Sequence, residues 1–145
     1  MPGKRLVKEL ERLRADPIAG IELLSAEASV WTMRVSGAAG TLFEGEEMSL
    51  QFTFDAQYPF EAPACVFLDP VPVHPHVYSN GHICLSILAE EWAPSLTVSS
   101  VCLSLLSMLS SCKLKERPPD DKSYVRRVGK RSPKHTRWDF HDDDV

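Results

Sequence analysis

No stretch of the 145-residue chain approaches the ~18 apolar residues in a row that a membrane-spanning helix requires. The opening Met1-Pro2-Gly3-Lys4-Arg5 leads into charged sequence with no apolar core of a secretory signal. The expectation is an intracellular protein, cytoplasmic, nuclear or both, with no membrane partner. Cys65, Cys84, Cys102 and Cys112 contain no CxxC pair, and a chain of this length can bury a core without covalent staples, so thiols are expected rather than disulfides. An excess of charge of one sign is missing as well: 16 Lys and Arg against 20 Asp and Glu leave a net charge of −4, which gives no global attraction for nucleic acid. Internal repeats and low-complexity tracts are missing, and one domain with one core is expected.

What is present reads as α+β. Leu6, Leu10 and Leu13, with Val7 beside them, recur at helical spacing from Lys4 to Ala15, and Asp16-Pro17 stops the pattern. Trp31, Met33 and Val35 alternate with polar partners. After the turn at 36–40, Met48, Leu50, Phe52 and Phe54 do the same, which makes an antiparallel meander with one buried face. Cys65 to Leu68 is a further short strand, and the prolines of Tyr58-Pro59-Phe60-Glu61-Ala62-Pro63 bound a rigid loop before it. Val98, Val101, Cys102, Leu105, Leu106, Met108, Leu109 and Cys112 fall on one helix stripe that Thr97 or Ser99 would cap, and this helix should be the most buried. Residues 1–121 are therefore the core of the domain. Residues 122–145 are read as a charged tail of the same domain, with too little apolar periodicity for helices, and so as flexible. The basic residues from Arg126 to Arg137 are read as a solvated tail ahead of a nucleic-acid patch.

Chemistry concentrates in residues 74 to 96, which hold three of the five histidines and Cys84. Ser79-Asn80-Gly81 is a turn that sets His82-Ile83-Cys84 on an extended segment, with His82 and Cys84 facing one side and Ile83 the other. Cys65, Cys102 and Cys112 read as core, so Cys84 is the candidate reactive thiol. His74, His76, His82 and Cys84 also make a set of the ligand types that tetrahedral zinc takes, although their spacing is not the usual one.

Tyr58-Pro59-Phe60-x-x-Pro63, His74-Pro75, Asn80-Gly81-x-Ile83-Cys84-Leu85 and Trp92-x-Pro94 together resemble the ubiquitin-conjugating enzymes (E2), in family order and spacing, from Lys4 to about Asp121. Residues 74 to 88 and the Trp138-x-x-His141-Asp142-Asp143 ending are most similar to the W-type branch. The resemblance implies an α/β roll of the UBC type: an N-terminal helix, a four-stranded antiparallel sheet, an irregular active-site stretch and a central helix. It implies that Cys84 takes ubiquitin as a thioester from the activating enzyme E1. Lys4, Arg5 and Lys8 would engage E1, and Pro59, Phe60, Trp92, Pro94 and Ser95 would meet RING or U-box ligases. No cofactor or metal is implied on this chain, since ATP is used upstream by E1. A non-catalytic E2-like binding module normally lacks the cysteine that Cys84 retains.

Two departures touch the acceptor side. His76 stands where most E2s carry Asn, in a position that supports the loop or the oxyanion, and Ser86 stands where many carry an acid. Asp121, or its neighbour Asp120, resembles the acid that borders the acceptor site, and Asn80, in the motif that carries Cys84, is a further candidate. A lysine amine of pKa about 10.4 is roughly 0.04% neutral at pH 7, against roughly 15% for an α-amine near 7.7. A site short of lysine-activating groups therefore points to substrate proteins with flexible N-termini, as the W-type resemblance also implies. A lysine-directed E2 is the alternative. In the tail, Trp138 is the candidate contact for such an N-terminus.

Overall fold

Leu6 and Leu13 are buried along one side of α1 (Gly3–Ala15), with Leu10 partly buried between them and Val7 exposed. The strands β1 (Ile21–Glu27), β2 (Val30–Ser36), β3 (Glu47–Thr53) and β4 (Ala64–Phe67) follow as one antiparallel sheet in sequence order. The alternation in β2 and β3 works as expected: Trp31, Met33 and Val35 stand opposite Phe52, Leu50 and Met48, and all six are buried on one face. The coordinates are a computed structural model that describes residues 3–129 and 131–133.

Against that face packs α2 (Val98–Ser110), with Val98, Val101, Cys102, Leu105 and Leu109 buried. Its cap is Thr97: the Thr97 hydroxyl accepts from Ser100 N–H at 3.1 Å, and the Ser100 hydroxyl accepts from Thr97 N–H at 3.1 Å. Cys112 differs from its expected place in the core. The helix stops at Ser110, and Cys112 sits half-buried past its end, with its thiol donating to the Leu114 carbonyl at 3.4 Å. No disulfide joins the four cysteines. Among the described residues no helix is long and apolar enough to cross a membrane.

The expectation of no helix after Asp121 is corrected. The segment opens with α3 (Asp121–Val128), whose Tyr124 and Val128 are buried one turn apart. Eight residues with two anchors are too few to raise a periodic stripe, so tertiary contact and not propensity makes this helix. The tail residue Trp138 lies outside the described residues.

One polar residue joins three of these pieces. Glu9, on the core side of α1, is 7% exposed, and its carboxylate accepts from Arg5 Nε at 2.8 Å, from the Tyr58 hydroxyl at 2.5 Å and from Val98 N–H at 2.8 Å. Arg5 also donates from Nη2 to the Leu96 carbonyl at 2.7 Å. Burial, and then the bond to Glu9, push the Tyr58 hydroxyl far above its ordinary pKa, so it remains a donor at any working pH. Glu9→Ala should cost about 2–4 kcal/mol, because it strands two buried donors. The urea midpoint should fall at unchanged m-value, and Glu9→Gln should lose less. A loss below about 1 kcal/mol for Glu9→Ala would remove Glu9 from this role.

Candidate active site

The stretch between β4 and α2 is irregular in outline but anchored throughout. Val66 bridges to His82, and Val77 bridges to both His74 and Ile83. Gly81 holds φ at +94°, and an added Cβ would meet the Phe67 carbonyl oxygen at 2.1 Å, so only glycine lets the turn approach β4 this closely. Asn80 locks the same turn twice: Oδ1 accepts from His82 N–H at 3.2 Å, and Nδ2 donates to the Gly129 carbonyl at the end of α3 at 2.7 Å. Ile83 enters the main core, which leaves His82 and Cys84 on the opposite side as the period of two requires.

That side meets α3. The rings of Tyr78 and Tyr124 stack with centroids 3.8 Å apart, and half-buried Cys84 packs against the cluster they form with Val128. Tyr78 donates its hydroxyl proton to both oxygens of Asp120, at 3.0 and 3.1 Å, and Asp121 Oδ1 accepts from Ser79 N–H at 2.7 Å. Burial, followed by the Asp120 bond and charge, raises the Tyr78 pKa far out of range; the charge of Cys84 adds to it, which places the thiol within electrostatic reach of this hydroxyl. His82 Nδ1 lies 2.7 Å from the Tyr124 hydroxyl, and burial lowers the pKa of the ring against the smaller, opposing effect of a hydrogen bond to the Arg131 backbone. With partners on Tyr124 and Arg131, His82 is a satisfied structural group tying the loop to α3.

His74 is likewise committed. Its Nε2 donates to the Met108 carbonyl at 3.0 Å, and its Nδ1 accepts from His76 N–H at 2.9 Å. His76 runs beside the candidate nucleophile: its carbonyl accepts the Cys84 N–H at 2.8 Å, and burial lowers the pKa of its half-buried ring. Among the described residues no group of three or more His, Cys, Asp and Glu side chains could hold a metal, so the four-ligand zinc set is not assembled.

The remaining residues separate into two regions. Ser86, two positions beyond Cys84, opens a short 3-10 turn (Ser86–Leu88) and donates its hydroxyl to Glu91 Oε2 at 2.7 Å. Trp92 Nε1 donates to the Pro59 carbonyl at 2.8 Å, which joins the two loops that carry Phe60, 77% exposed, and Pro94 and Ser95, also exposed. A cleft of about 330 Å³ lies between these loops, lined by Phe60, Ala62, Pro63, Leu88 and Trp92 among others. On α1, Lys4 and Lys8 are exposed, whereas Arg5 is spent on Glu9 and Leu96 inside the molecule. Sequence reasoning missed Tyr78, Tyr124 and Glu91. Only the aromatic character of the tyrosines gave any signal, since their partners lie 42 positions or more away in sequence.

The sequence pattern of the family described as ubiquitin-conjugating enzyme matches residues 5–140. This chain belongs to that family. It is 54% identical over 145 residues to a probable ubiquitin-conjugating enzyme E2 W-A of Danio rerio, covering 97% of this chain and 95% of the relative. It is 52% identical over 147 residues to the ubiquitin-conjugating enzyme E2 W of Caenorhabditis elegans, covering 98% and 96%. The crystal structure of the ubiquitin-conjugating enzyme E2 UbcA1 from Agrocybe aegerita superposes with a TM-score of 0.82 at 50% identity, covering 85% of this chain and 92% of that one. These matches place the chain with the W-type E2s, and the UBC fold expected from the motifs is the fold found. Members of the family are transferases that act through a cysteine thioester, and ubiquitin, E1 and E3 proteins are the partners that membership implies.

The histidines of this E2 set an acid limit. Burial lowers the pKa of His74, His76 and His82 below the ordinary 6.5, so the folded state binds fewer protons than the unfolded chain in the window below that value. Their stabilisation is complete above about pH 6.5 and is lost as the pH falls through the unfolded value toward the folded ones. The urea midpoint should fall between pH 7 and pH 5, and His82→Gln should flatten the fall. A wild-type midpoint that rises on acidification across this range would contradict these assignments.

Proposed function

We propose that Cys84 receives ubiquitin from the activating enzyme as a thioester and passes it to a substrate amine, with the α-amine of a flexible N-terminus as the preferred acceptor. The observation that carries this reading is the sorting of the four thiols. Burial raises the pKa of Cys102 to about 12 and that of Cys65 well above its ordinary value, and Cys112 is turned onto a carbonyl beyond α2. Cys84 alone of the four stands on the loop between β4 and α2, half-buried, with its main chain paired to His76. The thiolate attacks the E1-bound thioester carbonyl and releases the E1 thiolate. An amine then attacks the new thioester, a C–N bond forms, the C–S bond breaks and Cys84 leaves as thiolate.

No dedicated base is needed for the first exchange, since thiolates are strong nucleophiles even at the few per cent present near pH 7 for an ordinary cysteine. His76 and Asn80 serve the loop. The His76 carbonyl holds the main chain of Cys84, and Asn80 fixes the turn before it. Asp121 and Asp120 border the same wall through Ser79 and Tyr78. The joined loops with Pro59, Phe60, Trp92, Pro94 and Ser95 suit a RING or U-box ligase, which would read a small apolar patch of this kind, and the exposed Lys4 and Lys8 suit E1. The neutral fraction favours an α-amine over lysine by roughly several hundredfold where nothing in the site lowers the lysine pKa.

Charging with E1, ATP and ubiquitin should give a reductant-sensitive adduct on the wild type. Cys84→Ser should give at most a reductant-stable ester. The charged enzyme should then discharge to a lysine-free peptide with a free N-terminus and spare the acetylated peptide. Absence of any adduct sinks the enzyme reading, and equal or faster discharge to free lysine sinks the N-terminal preference.

A further inference from the structure

Ser86 leaves the position two beyond the nucleophile without a charge of its own, yet a carboxylate reaches it from elsewhere. Glu91 is fastened to Ser86 at two points: its main-chain N–H donates to the Ser86 carbonyl at 3.0 Å, and its Oε2 accepts the Ser86 hydroxyl at 2.7 Å. The 3-10 turn at Ser86–Leu88 closes the short loop that makes this possible, with Leu88 N–H on the Leu85 carbonyl at 2.9 Å and Ala89 N–H on the Ser86 carbonyl at 2.9 Å. The neighbouring Glu90, exposed as Glu91 is, points no such bond back to the loop.

Two acids at the start of α3 meet the same loop but are committed to holding it. Asp120 holds the Tyr78 proton and Asp121 holds the Ser79 N–H, both as ties between the loop and α3. We propose that Glu91, positioned by Ser86, is the carboxylate that orients the acceptor amine at the Cys84 thioester. This rests on Cys84 being the thioester residue. The amine approaches with an N–H directed to Glu91, nitrogen bonds to the thioester carbonyl carbon, and the C–S electron pair returns to Cys84. The proton released from nitrogen passes to Glu91, directly or through the Ser86 hydroxyl, and from there to water. A carboxylate raises the pKa of an amine beside it. Glu91 thus gathers and aligns the acceptor without generating neutral lysine, and the advantage of the α-amine is kept.

The test separates charging from discharge, without a ligase, because Glu91 adjoins the Trp92 loop. Wild type, Glu91→Gln, Ser86→Ala, the Ser86→Ala/Glu91→Gln double variant, Ser86→Asp/Glu91→Gln and Glu90→Gln are each charged by E1. Single-turnover discharge to the free-N-terminus peptide is then followed against peptide concentration. All six should charge alike. Glu91→Gln and Ser86→Ala should each slow discharge about three- to tenfold, as expected for one partly exposed charged hydrogen bond. The double variant should be no slower than the worse single, since the two side chains act as a pair. Ser86→Asp/Glu91→Gln should recover most of the wild-type rate, and Glu90→Gln should match wild type. Unchanged discharge in Glu91→Gln, an equal loss in Glu90→Gln, or no recovery in Ser86→Asp/Glu91→Gln overturns the role of Glu91. Failure of the wild type to charge overturns the Cys84 reading itself, and this one with it.

Discussion

A single carboxylate placed on the apolar side of a helix organises the molecule. Glu9 collects a guanidinium from its own helix, a phenol from the proline loop and the first main-chain N–H of α2. A helix N-terminus presents unpaired N–H groups and a partial positive charge, and a carboxylate is the group that suits both. The desolvation of Glu9 is met by three donors, so its burial is compensated in the way that buried charges require. Since α1, the loop at Tyr58 and the start of α2 share this acceptor, the loops that flank Phe60 and Trp92 are fixed relative to α1. Arg5 on the Leu96 carbonyl and Trp92 on the Pro59 carbonyl extend the same fixation across the exposed patch.

Cys84 is held from the other side of the loop. Ile83 is driven into the main core, Gly81 lies against the Phe67 carbonyl, and Asn80, His82, Ser79 and Tyr78 each reach a residue of the segment from Asp120 to Arg131. The helix α3 is thus part of the site, as the wall against which Cys84 packs, although it brings little apolar surface. Its stability and the order of the loop are one property, because the bonds from Tyr78 and Ser79 to its first acids and from Asn80 to the Gly129 carbonyl at its end are the bonds that shape the turn before Cys84.

Those elements that bury one full stripe or face were legible in the sequence, and those held by distant polar partners were not. In α1, α2, β2 and β3 the apolar positions have the right period and fill the core. The edge strand β1 buries little, and its register slips between Leu23 and Ser25, so no clean alternation marks it. Glu9 looks like any helix charge until the fold brings Tyr58 and Val98 to it. The thiols were separable by pattern alone, except that Cys112 continues a stripe beyond the point where its helix ends. Ser86 reads in sequence as the loss of an acid. The pairing with Glu91 appears only once the 3-10 turn brings together residues five apart.

The commitments of the polar groups around Cys84 limit which of them can serve an incoming amine. Tyr78 keeps its proton because burial and Asp120 both oppose ionisation, so it can donate but cannot act as a base. Asp120 is bound to that proton through both of its oxygens, and using it for an amine would break the tie between the loop and α3. Asp121 faces the same cost at Ser79, and His82 at Tyr124. His76 spends its carbonyl on the main chain of Cys84, and burial lowers the pKa of its ring. A carboxylate can turn to the acceptor at little structural cost only where its bond is to one rotatable hydroxyl on a partly exposed turn, and Glu91 meets that condition. Rigid pairing for the groups that hold the thiol, and one acid held by a single rotatable hydroxyl, is the division of labour expected where a fixed nucleophile is to meet an acceptor that arrives from outside.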